Sequence, residues 1–156
     1  MLNTKTLEGF TGSCLQHTFD APQPIPAFHR QLWRMCTSAE KFVAIAAPRG
    51  HAKSTAVTLS YVLASVLFRD HQYVIIISDT ESQSSEFLND IKMQLIENED
   101  IRDLFGVNKF IKDSETNIIV QMKDGHQFRI VAKVAGQRIR GRKWRNQRPD
   151  LIVVDD

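Results

Sequence analysis

Hydrophobic and polar positions along the chain alternate between two periods, and the switches mark the elements. Ala27 to Cys36 has a helical stripe of Phe28, Leu32 and Met35, with Trp33 beside it. A proline-rich stretch, Ala21-Pro22-Gln23-Pro24-Ile25-Pro26, precedes it and cannot be helix interior, although Pro26 suits a first helical turn. Lys41 to Ala47 is a short apolar run and predicts a first core strand. Lys53 to Phe68 predicts a long helix with a wide apolar face over Ala56, Val57, Leu59, Ser60, Leu63, Val66 and Leu67.

The pattern then shortens. Tyr73 to Ile77 is β-branched and uninterrupted, which predicts a buried strand. Ser78 to Ser82 is dense in helix-capping residues. Ser82 to Asn98 reads as an amphipathic helix with Phe87, Ile91, Met93, Leu95 and Ile96 near its buried side. A short helix, Ile101 to Phe105, is stopped by Gly106. Asn117–Met122 and Gln127–Val134 are strands joined by Lys123-Asp124-Gly125-His126, and Asp-Gly between apolar runs signals a hairpin. Leu151 to Val154 predicts a last strand buried on both faces, followed by Asp155 and Asp156. Residues 1–20 carry only weak patterning, consistent with a short helix or an arm.

Strand–helix units, a hairpin and an acid-tipped strand predict a three-layer α/β fold with a mainly parallel sheet. Composition leaves this picture unchanged: 156 residues, 42% hydrophobic and 24% charged, make one domain with a sizeable core. A net charge of +2 specifies no partner. Cys14 and Cys36 lack metal or CxxC spacing and read as reduced thiols of an intracellular protein. The chain has no apolar run of membrane-spanning length, no secretory leader pattern and no internal repeat.

The candidate chemistry sits between the first strand and the long helix, at Ala47-Pro48-Arg49-Gly50-His51-Ala52-Lys53-Ser54-Thr55. Strand, tight loop, then Lys-Ser at a helix start is the layout of a phosphate-binding P-loop. Alanines stand where the template has its two glycines, at Ala47 and Ala52. Backbone N–H groups over Pro48 to Ala52, with Gly50 free to take a positive φ, can still cradle phosphate at a helix N-terminus. Lys53 would reach the terminal phosphates of ATP and Ser54 would give its hydroxyl to Mg²⁺. Arg49 could swing toward the γ-phosphate or remain solvated. Gln31 or Gln23 could read an adenine edge, although a surface glutamine is the commoner state. Asp155, at the carboxyl end of its strand, would hold Mg²⁺ through water, and Asp156 stands where such ATPases often carry a water-orienting glutamate.

From Gly125 to Pro149 the chain has no acid. Arg138, Arg140, Arg142, Lys143 and Arg145 crowd its densest part, and three roles compete. They could contact nucleic-acid phosphates, supply an arginine to a neighbouring subunit's ATP, or form a solvated loop. Trp144 could stack a base, but is more often a packing anchor.

Taken in order, these pieces resemble the large terminase subunit of tailed bacteriophages, the DNA-packaging motor. The pieces are Phe28-His29-Arg30-Gln31-Leu32-Trp33, the Ala47–Thr55 loop, Ile75-Ile76-Ile77-Ser78-Asp79-Thr80, Arg140-Gly141, and Arg148 to Asp156. The resemblance covers roughly residues 25–156 and leaves 1–24 as an N-terminal arm. It implies an ATPase using ATP and Mg²⁺, with Lys53, Arg49 and Asp156 in catalytic positions, and Ser54 and Asp155 at the metal. It also implies double-stranded DNA as substrate, a homo-oligomeric ring on the portal, a small-subunit partner, no membrane, and the cytoplasm of an infected or prophage-carrying bacterium. The family's coupling motif and nuclease half have no counterpart here, so the P-loop fold is expected to be incomplete at its C-terminal end. Poor or absent ATP hydrolysis by this chain alone is then expected. Two other readings stay open: a helicase-like P-loop ATPase, and a non-catalytic nucleotide- or DNA-binding fragment.

Overall fold

The computed structural model describes residues 2–15, 25–47, 53–138 and 143–155. The chain divides into two compact units, Met1–Asp70 and His71–Asp156, each taken by itself below.

The first unit is helical. Helix α1 spans Thr4–Phe10, with Asn3 as its N-cap accepting from the Thr6 amide. A π-helical turn, Thr11–Leu15, continues it and buries Cys14 and Leu15. Helix α2 spans Ala27–Cys36, as its sequence predicts, with Pro26 as its N-cap residue. The buried stripe is shifted from the expected one. His29, Leu32 and Trp33 are buried, whereas Phe28 and Met35 are only partly covered. The indole of Trp33 needs the interior for its area and a partner for its N–H, and Nε1 donates to the Ala56 carbonyl at 2.8 Å. The long helix expected from Lys53 is present as two geometries: π-helical over Thr55–Tyr61, then α3 over Val62–Leu67. Every residue of α3 is buried, more than the one-sided face that the periodicity implied.

One expected element of this unit is not formed. Lys41–Ala47 has no strand structure; Phe42 is 93% exposed and Val43 40%. A strand needs ladder partners for its N–H and C=O groups, and among the described residues all five strands lie in the second unit.

The second unit is an α/β sheet with its own helices. Its strands are β1 (Tyr73–Ser78), β2 (Val107–Asp113), β3 (Asn117–Met122), β4 (Gln127–Val134) and β5 (Leu151–Val154), in the order β2-β3-β4-β1-β5. The sheet is mixed: β1 runs parallel to β4 and β5, and β2-β3-β4 are antiparallel. The hairpin turn between β3 and β4 carries Gly125 at φ 92°, and Asp124 accepts from the His126 amide. Strand β2, which no clear alternation announces, pairs with β3 across two register irregularities.

Helix α4 (Glu81–Glu97) starts at Thr80, whose hydroxyl accepts from the Gln83 amide. Its buried stripe is Ser84, Leu88, Ile91 and Leu95, spaced four, three and four residues apart. Ile96, expected near the core, is 41% exposed, and Phe87 and Met93 are only partly covered. Helix α5 (Glu99–Phe105) ends at Gly106, whose φ of 71° is the left-handed C-cap expected of that glycine.

Strand β5 departs from expectation. It is the last strand of the sheet, and Ile152 and Val154 are 49% and 71% exposed. An apolar run of four satisfies the pattern of a fully buried strand, but a strand with one neighbour keeps part of its surface in solvent.

Candidate functional site

Lys53 and Ser54 stand at the start of the π-helical stretch, both partly exposed, with Ser54 in helical geometry (φ −63°, ψ −39°). Thr55 opens the π turn itself. Pro48, Arg49, Gly50, His51 and Ala52 lie outside the described residues, as does Gln23. Gln31 lies on the exposed side of α2. Lys53 and Ser54 are the first described residues of this helical stretch.

The second unit carries the acid. Asp155 follows β5 directly and is 7% exposed, and its backbone N–H donates to the Ile77 carbonyl at 2.8 Å. That bond extends the β1–β5 ladder by one residue and fixes Asp155 at the carboxyl end of two parallel strands. This is the edge where α/β sheets collect ligands. Asp156 lies outside the described residues.

The register that brings Asp155 there is set at the opposite end of the strand. Asp150 accepts from the Gln72 amide at 2.9 Å and from the Tyr73 amide at 3.0 Å, and its own N–H donates to the Tyr73 carbonyl at 2.9 Å. Both unpaired donors at the start of β1 are thus met by one carboxylate. Sequence reading placed Asp150 only within a family-like string. A carboxylate immediately before an apolar strand was the available signal.

The basic segment is partly described. Arg138, Lys143 and Arg145 are exposed, and Arg140 and Arg142 lie outside the described residues. Trp144 and Gln147 exchange two backbone hydrogen bonds of 2.9 Å around Arg145 and Asn146, both at positive φ (51° and 64°). Positive φ at both central residues defines a tight turn that asparagine tolerates and arginine does not favour. The turn seats Trp144 edge-on against Tyr73, ring centroids 6.1 Å apart, in a cluster with Ile75, Ile77 and Val131. Trp144 is therefore a packing anchor. Arg145 lies over its ring at 5.8 Å and reaches Gln127, while Arg129 lies over the Tyr73 ring at 5.2 Å and donates to Asn117.

Each unit offers, by itself, an oxygen donor of the kind a hard divalent cation takes. In the first unit this is the Ser54 hydroxyl, and in the second the Asp155 carboxylate at the end of β5. Among the described residues, no group of three or more His, Cys, Asp or Glu could hold a metal ion, so a dense protein cage of the zinc type is not formed there. Among the described residues, no helix is long and apolar enough to cross a membrane. No family model, curated protein or solved structure matches this chain.

Proposed function

We propose that this chain binds ATP and Mg²⁺ as the nucleotide-binding part of a DNA-packaging ATPase of the large-terminase kind. The observation that most supports the reading is Asp155, nearly buried at the carboxyl end of a strand held parallel to β1. A carboxylate at that edge is what a hydrated Mg²⁺ needs, and Lys53-Ser54 at a helix start is what a phosphate chain needs. In this reading Lys53 neutralises phosphate charge, Ser54 and Asp155 hold the cation and its waters, and Arg49 and Asp156 serve hydrolysis. Bound Mg²⁺ would polarise the transferred phosphoryl group. Arg138, Arg140, Arg142, Lys143 and Arg145 would meet the phosphates of double-stranded DNA, or one of them would reach a neighbouring copy's ATP in a ring on the portal. The small terminase subunit would be a further partner, in a bacterial cytoplasm.

A second reading, a binding module without turnover, is favoured by one specific observation. Lys41–Ala47, which precedes the phosphate loop in sequence, is not a strand and is largely exposed. The P-loop layout calls for a strand before the loop, and among the described residues that strand is absent.

Calorimetry of MgATP binding to the purified chain, wild type against Lys53→Ala, tests both. The expected result is binding by the wild type and its loss on substitution. Binding that Lys53→Ala leaves intact, or a folded wild type that binds no ATP, would end the phosphate-loop reading. ATP hydrolysis then separates enzyme from module. A preference for duplex over single-stranded DNA separates a packaging motor from a helicase-like ATPase, which would prefer single strands. A steep salt dependence of that binding is the expected signature of phosphate contacts.

A further inference from the structure

Ser78 ends β1 at the same edge of the sheet as Asp155, and nothing in the reading so far uses it. Its side chain is 2% exposed, and its hydroxyl has no hydrogen-bond partner. Its backbone is pinned, since the Ser78 carbonyl accepts from the Ala135 amide at 2.9 Å. Neighbouring hydroxyl residues have other duties or other positions: Thr80 caps α4, Ser84 bonds back to the Glu81 carbonyl, Ser82 is exposed on that helix, and Ser85 is partly exposed on it.

The register says what Ser78 faces. In the β1–β5 pair, Val74 lies beside Leu151, Ile76 beside Val153, and Ile77 beside Val154. The Asp155 amide bonded to the Ile77 carbonyl continues that pairing. Ser78 and Asp155 therefore fall side by side, and strand alternation puts both on the face that carries Val74, Ile76, Leu151 and Val153. A buried hydroxyl without a hydrogen bond costs stability. One level in register with a nearly buried carboxylate at a candidate cation corner has an evident use there.

Resting on the nucleotide-site reading above, we propose that Ser78 is a positioning residue for Asp155. Its hydroxyl donates to the carboxylate when a divalent cation is held, and so fixes the oxygen that faces the cation's water shell. Supporting groups of this kind govern affinity because they hold a ligand in one orientation.

The test is Mn²⁺ binding, read from the free-ion electron paramagnetic resonance signal, with and without ATP. It uses the wild type, Ser78→Ala, Ser78→Thr, Asp155→Asn and the Ser78→Ala/Asp155→Asn double variant. Thermal unfolding is measured on each. Ser78→Ala is expected to weaken Mn²⁺ binding about tenfold, while its stability stays level or rises, because an unpaired buried hydroxyl is removed. Ser78→Thr, which keeps the hydroxyl, retains most of the affinity. In the Asp155→Asn background, Ser78→Ala has no further effect, since its influence runs through the carboxylate. Three results would overturn the proposal: Mn²⁺ affinity unchanged in Ser78→Ala, the same loss persisting in the Asp155→Asn background, or no Mn²⁺ binding by the wild type. ATP binding measured in parallel keeps the two readings apart. Absent ATP binding with the Mn²⁺ pattern intact ends the nucleotide reading alone. ATP binding with an inert Ser78→Ala ends this proposal alone.

Discussion

Replacing Asp150 by alanine should loosen the second unit without changing what it folds into. Its carboxylate meets two backbone amides at the start of β1, from Gln72 at 2.9 Å and Tyr73 at 3.0 Å. Hydrogen bonds to a charged group contribute about 1.5–3 kcal/mol each when covered, and less where water can take over. The Gln72 amide is exposed and regains a water partner. The Tyr73 amide is part-buried and loses most of its bond. Asp150→Ala should therefore cost about 2–3 kcal/mol. Asp150→Asn keeps one acceptor oxygen but not the charge, and should cost roughly half as much. The Asp150 N–H to Tyr73 carbonyl bond survives in both, so the β1–β5 register should hold. Urea unfolding followed by circular dichroism reads the difference as a shift in midpoint at constant slope. A loss under about 0.5 kcal/mol in the alanine variant, the size of an ordinary surface substitution, would refute the clamp. So would equal losses for alanine and asparagine.

Three further outcomes follow from single contacts. Trp33→Phe should destabilise the first unit by about 2–4 kcal/mol in the same assay, because the Ala56 carbonyl loses its 2.8 Å donor and the smaller ring leaves space. Burial pushes the Cys36 thiol up to about 11, so its alkylation by iodoacetamide should still be accelerating at pH 10; a rate plateau near pH 9 would show an ordinary thiol. Asp90 is held above the usual carboxylate range by partial burial and by Glu86 one turn earlier, so its charged form weakens the fold. The penalty is absent at acid pH, where the carboxyl is neutral, and sets in as pH rises through the raised value, so Asp90→Asn should unfold at higher temperature than wild type at pH 7 and at the same temperature at low pH.

Local chemistry carried much of this fold. Helix α2, strands β3 and β4, the Asp-Gly turn and the Gly106 stop all depend on side chains within a few residues, and each lies where the sequence places it. Periodicity also located α4 and the helix that follows Ser54, to within a residue or two at the described ends. The candidate site was legible only as residue types: Lys53-Ser54 before a helix and Asp155 after a strand.

What the sequence could not determine were the partners. Lys41–Ala47 and Leu151–Val154 are equally convincing apolar runs, yet one is an exposed coil and the other an edge strand, because a strand exists only where a neighbour accepts its backbone bonds. Strand β2 lacks clear alternation and is held by pairing with β3. The stripes of α2 and α4 turned from their expected faces, since packing against particular neighbours decides which apolar residue enters the core. Ser78 read as one more capping residue. Only the β1–β5 register, which pairs Ile77 with Val154 and bonds the Asp155 amide to the Ile77 carbonyl, brings it level with Asp155. Local pattern is written in the chain itself; pairing between distant segments is decided when the fold closes.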